Sequence, residues 1–109
     1  MSLRIKWTPV ALQSLSEVLD YTFEEFGERQ LQKLTKLIYS TTYRLAAFPL
    51  SGKFEPEITD STGIEYRSMA VISEIKILYT TDDDTLYVEF VKNVRLDDAT
   101  MLARFNEQT

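Results

Sequence analysis

Apolar and polar residues alternate through Leu3, Arg4, Ile5, Lys6 and Trp7, the period of two expected of a half-buried strand. Thr8-Pro9 then marks a helix start. A threonine hydroxyl accepts the orphan amide hydrogens of a first turn, and proline fits the first helical position, where its missing N–H costs nothing. From there Leu12, Leu15, Val18, Leu19, Phe23 and Phe26 recur at helical spacing, and Gly27 supplies the stop. A second helix is expected from about Glu28, with Leu31, Leu34, Ile38, Thr41, Leu45 and Phe48 on one stripe and Pro49 at its end. The heptad-like spacing lasts too few repeats for a coiled coil, and the single break at Gly27 predicts an αα-hairpin.

Between Pro49 and Gly63 the chain turns to Ser, Gly, Pro, Thr and acidic residues, which predicts a surface connection without regular structure. Three strands are then expected over Ile64–Ile72, Ile75–Thr81 and Leu86–Val94. The links between them, Ser73-Glu74 and Asp82-Asp83-Asp84, are short enough to require an antiparallel meander. Asp97 or Asp98 is positioned to cap a last short helix with Met101, Leu102 and Phe105 on one face. The fold class is therefore α+β: an N-terminal strand, a helical hairpin packed on a mainly antiparallel sheet ending in a three-stranded meander, and a short C-terminal helix. With 109 residues, no repeat and no linker, residues 1–109 are expected to form one domain.

Composition narrows the chemistry. The chain has no cysteine and no histidine, so a disulfide framework, a thiolate nucleophile, a typical zinc site and histidine-based acid–base catalysis are not expected. No metal, cofactor or small-molecule substrate is expected. No stretch reaches the roughly 18 apolar residues of a membrane helix, and no secretory leader pattern precedes the first strand, so the expected location is cytoplasmic. Residues of cloning origin are expected, if anywhere, within Met1-Ser2-Leu3. The net charge of −5 disfavours a general nucleic-acid binder, because neutralising phosphates supplies most non-specific affinity. Its distribution is uneven: residues 1–53 hold seven Lys/Arg against five Asp/Glu, whereas residues 54–109 hold five against twelve.

Several local patterns occur in a characteristic order: Trp7-Thr8-Pro9 with Ala11 and Leu15, Tyr21 to Phe26-Gly27, Phe48-Pro49-x-x-Gly52, Tyr66-Arg67, Ile77-Leu78-Tyr79, the acidic turn, and Val91-x-x-Val94-Arg95. In these, over about residues 3–96, the chain resembles the RelE/ParE toxins of type II toxin-antitoxin systems, more closely the ParE-like, plasmid-stabilisation branch of these bacterial proteins. The resemblance implies a cognate antitoxin whose disordered segment folds across the toxin. Arg29, Lys33, Lys36 and Arg44 lie on the second helix away from its apolar stripe, as a basic ridge for an acidic antitoxin segment or as an ordinary solvated face.

Two target classes follow from the same resemblance. ParE-like members bind DNA gyrase and trap its cleaved DNA complex, which requires no histidine. RelE-like members are ribosome-dependent mRNA endonucleases that work with a basic cluster on the concave sheet face. The matching positions are Arg67, Lys76 and Arg95, where guanidinium and ammonium groups would hold a phosphate and stabilise developing charge. Ion pairs of Arg67 and Arg95 with Glu65, Glu89 or Asp97 are the plainer reading. The missing histidine, the absence of a clear tyrosine after Arg95 and the acidic C-terminal half rank gyrase binding above cleavage. A toxin-like interaction module without toxicity ranks third.

Overall fold

The computed structural model describes residues 2–94. The elements run β1 (Arg4–Trp7), α1 (Pro9–Phe26), α2 (Glu28–Ala47), β2 (Lys53–Phe54), α3 (Pro56–Thr62), β3 (Arg67–Ile72), β4 (Ile75–Asp82) and β5 (Thr85–Asn93). One sheet has the order β1-β5-β4-β3-β2. The meander β3–β4–β5 is antiparallel, as its short links require, while β1 lies beside β5 in the parallel sense and β2 extends β3 antiparallel. The C-terminal helix expected around Met101 to Phe105, like Arg95, lies outside the described residues.

Local chemistry starts and stops the hairpin. The Thr8 hydroxyl accepts from the Ala11 N–H at 3.1 Å, with Pro9 as the first helical residue. Gly27, at φ 87°, ends α1 by donating its N–H to Phe23 O and starts α2 by accepting from Leu31 N–H. That left-handed backbone is easily reached without a Cβ, so one residue turns the chain between the helices.

Both helices cover the same face of the sheet. Leu15 and Val18 of α1 and Leu34, Ile38 and Leu45 of α2 pack on Ile75, Ile77 and Tyr79 of β4 and on Leu86, Val88 and Val91 of β5. The buried stripe of α1 differs from the one its large residues predict: Leu12, Phe23 and Phe26 are 52%, 50% and 59% exposed, whereas Ala11, Ser14 and Thr22 are buried. The reason is a close approach to β5. Strand β1 ends at Trp7, and Thr8 N–H is the last to reach Val88 O, so β5 needs other partners beyond that point. Ser14 provides one, its Oγ accepting from Val91 N–H at 2.9 Å and donating to Ala11 O. Only small side chains such as Ala11 and Ser14 fit at this contact, and Leu12, Phe23 and Phe26 turn to the flanks of the helix.

The connection expected to lack regular structure contains β2 and the seven-residue helix α3. Pro56 opens α3, Gly63 closes it in the left-handed region at φ 76°, and Ile58 is its single buried apolar residue. One apolar position produces no periodicity, which is why sequence pattern does not reveal this helix. Ile58 joins Val10, Tyr66, Leu78 and Phe90 in a second, smaller core on the face away from the hairpin. A β-bulge makes both cores possible. Tyr79 pairs with Val88 and Leu78 with Phe90, so Glu89 is an extra residue, and Val88 and Val91 both face the hairpin while Phe90 faces the other way.

Candidate functional site

The sheet does not bring Arg67 and Lys76 together. An ideal two-residue turn at Ser73-Glu74 would set Arg67 opposite Thr80, on the face of Lys76. The strands instead shift register between Ala70 and Ile72, so Arg67 lies opposite Tyr79, on the hairpin face, and Lys76 lies opposite Ala70 and Lys92 on the far face. The Arg67 guanidinium donates from Nη1 to Gly52 O at 3.0 Å, lies 3.7 Å from the Glu65 carboxylate through Nη2, and sits 6.0 Å from the Phe54 ring centroid. It holds down the loop that follows α2. Tyr79 completes the same anchor: its hydroxyl donates to Pro49 O at 2.7 Å and accepts from Gly52 N–H at 3.0 Å.

The far face carries a different constellation. Lys76 and Lys92 are directly opposite one another, a cross-strand pairing of like charges that is unfavourable in itself. Lys6 and Thr80 both stand opposite Tyr87. From the bulge, the Glu89 carboxylate accepts from the Thr80 hydroxyl at 2.8 Å. Burial raises the Glu89 carboxyl above the ordinary glutamate range, partly offset by that hydrogen bond. Burial, helped by the Glu89 charge, likewise raises the Tyr66 phenol.

The Glu89 shift has a testable sign. A folded-state pKa above the unfolded one gives a contribution that is fully present below the unfolded value and is lost as pH rises through the folded value. Glu89→Gln keeps an acceptor for Thr80 and removes the titration. The stability of Glu89→Gln relative to the native chain should therefore increase as pH rises above the ordinary glutamate pKa of about 4, as urea melts at successive pH values would show. Parallel stability curves for the two proteins would show that the carboxyl is not held off its ordinary pKa.

Arg29, Lys33, Lys36 and Arg44 are all exposed on α2, on the side turned from Leu34, Ile38 and Leu45. Two apolar grooves adjoin this helix. One, of about 570 Å³, lies between the closed end of the hairpin and the β3–β4 turn and is lined by Tyr21, Phe26, Leu37 and Ile72 among others, with Lys33 at its border. The other, of about 540 Å³, lies between β1 and α2 over Ile5, Trp7, Tyr39 and Tyr43. Among the described residues no acidic group cluster is arranged to hold a metal ion, and no helix is long and apolar enough to cross a membrane.

The family model of the ParE toxin of type II toxin-antitoxin systems, parDE, matches residues 5–93. The chain belongs to the ParE toxin family. The match begins within β1 and ends with β5, so it takes in every element of this ParE-family chain that carries the two cores and both grooves. A solved structure described as the chromosomal ParDE TA system from P. aeruginosa shares the fold, with a TM-score of 0.67 and 15% identity over 84% of this chain and 96% of that one. A search of the curated proteins finds no match.

Sequence reasoning missed the features of this ParE-family chain that depend on tertiary structure. Trp7 and Tyr39 meet with ring centroids 5.7 Å apart although 32 positions separate them along the chain. Their types alone, one strand aromatic and one helix aromatic, carry no sign of that meeting. The sequence offers Glu89 only as an ion-pair partner; its partial burial follows from the bulge, which nothing in the local sequence marks.

Proposed function

We propose that the chain, acting as a single domain in the cytoplasm, is a toxin held inactive by a cognate antitoxin, and that it acts by binding DNA gyrase instead of cutting RNA. The observation that carries the choice of target is the separation of Arg67 from Lys76 onto opposite faces, with Arg67 already engaged by Gly52 O and Glu65. Those two side chains do not hold one phosphate between them, and binding a protein asks nothing of such a cradle. The exposed ridge of Arg29, Lys33, Lys36 and Arg44 suits the rim of an antitoxin contact, where charge sets rate and register, and the apolar grooves beside it supply the area to be buried.

The endonuclease reading draws on the far face, where Lys76 and Lys92 stand opposite each other and Glu89 and Tyr87 lie nearby. Induced expression separates the readings. The expected result is growth arrest relieved by the reading frame abutting this gene, with plasmid DNA losing negative supercoils and message remaining intact. Codon-spaced breaks in translated message with plasmid topology unchanged would select the endonuclease, and unimpaired growth would select a non-toxic interaction module.

A further inference from the structure

The turn that follows α2 is held more firmly than its own side chains require. Phe48 N–H donates to Arg44 O at 2.9 Å and Ser51 N–H to Phe48 O at 3.0 Å, which closes a β-turn over residues 48–51 with Pro49 at its second position. The hydroxyl of the buried Tyr79 ties Pro49 O and Gly52 N–H, and Arg67 ties Gly52 O. Phe48 and Leu50 nevertheless belong to neither core and are 68% and 74% exposed. Two large apolar side chains thus stand in water on a fixed backbone, so docking them into a partner costs little further ordering. Beside Phe48 a notch of about 230 Å³ opens between α2 and β3, lined by Leu45 and Met69 among others. Knob and hole lie side by side.

Shape and charge select the occupant. A segment that folds on binding follows a groove, whereas a preset protruding anchor fits a pocket already formed on a folded protein. Residues 29–54 hold five Lys/Arg and no Asp or Glu, in a chain whose net charge is −5. Two of the five, Arg44 and Lys53, are exposed on either side of the turn, and Arg44 also lines the notch. A second copy offering the same face would set these cations against themselves, which opposes self-association there. From these features we infer that the Phe48-Pro49-Leu50 turn is the anchor by which this chain grips its target, with Phe48 and Leu50 entering an apolar pocket of gyrase whose rim carries carboxylates opposite Arg44 and Lys53. This rests on the gyrase reading above and adds which surface makes the contact and the chemistry of the surface that receives it. Arg44 is shared with the ridge assigned to the antitoxin, so the two partners would compete for it.

Phe48→Ser/Leu50→Ser removes both anchors, and Lys53→Glu reverses one rim charge. The full chain and these variants are titrated against purified gyrase and, separately, against the protein encoded by the reading frame abutting this gene, with thermal melts to check folding. For the double variant the expected result is an unchanged melt, affinity for gyrase about a hundredfold lower, and affinity for the antitoxin within about twofold of native. Lys53→Glu should weaken gyrase binding about tenfold at low salt and less at high salt, because an exposed rim charge acts through a screened field. A native chain that binds no gyrase defeats the gyrase reading and the assignment with it. Native binding matched by an equally tight double variant overturns the assignment while the gyrase reading stands. Weakening toward the antitoxin equal to or greater than that toward gyrase also overturns it. If the double variant melts early, Lys53→Glu decides alone, and unchanged gyrase affinity at low salt would overturn the assignment.

Discussion

Phe90→Ala is expected to lower the free energy of unfolding by about 3–5 kcal/mol. Phe90 is fully buried at the centre of the smaller core, among Val10, Ile58, Tyr66 and Leu78. Its removal leaves a cavity in a cluster with few other large side chains to collapse into it. Ile58 is the one buried apolar residue by which α3 joins this cluster, so the α3 amides should exchange faster than those of α2 in the variant. Urea denaturation gives the first quantity and hydrogen exchange the second. A loss under about 1 kcal/mol would mean that the far face is not closed by a packed core, contrary to the burial of its five members.

The second large effect lies at Gly52. A methyl group there would meet the Tyr79 hydroxyl and, at 2.9 Å, the Ser68 carbonyl, neither of which has room to retreat: Tyr79 is in the main core and Ser68 O belongs to β3. Gly52→Ala should cost about 1–3 kcal/mol by overpacking. The displacement would also loosen the bonds from Gly52 N–H to Tyr79 and from Arg67 to Gly52 O. Removing the obstructing atom offers an internal control, since Gly52→Ala should cost less in a Tyr79→Phe background than in the native chain, as thermal melts of the four proteins would measure. Equal costs in the two backgrounds would show that the hydroxyl is not what demands glycine.

Elements whose signals are local were legible in the sequence. Thr8-Pro9 caps α1, Gly27 turns the hairpin, Pro49 follows α2, and two short links force the meander, because each depends on the backbone preferences of one or two residues. Features that depend on a partner distant in sequence were not. Ser14 is buried because Val91 needs an acceptor, and no pattern within α1 distinguishes it from an exposed serine. Helix α3 has one apolar residue, too few for a period.

The candidate site shows the same limit more sharply. Arg67, Lys76 and Arg95 are the right residue types for a phosphate, yet whether two of them share a face depends on strand parity. The irregularity around Val71 reverses that parity. The basic ridge on α2 was legible because helical spacing alone puts Arg29, Lys33, Lys36 and Arg44 outward. The groove over Trp7 and Tyr39 was not, since it exists only once α2 lies across β1.

Supercoiling of relaxed plasmid by purified gyrase, with this chain added in excess, tests the proposed action most directly. The account predicts that supercoiling stops, that linear DNA accumulates when the reaction is quenched with detergent, and that prior addition of the antitoxin prevents both. Unchanged supercoiling at saturating chain would contradict it.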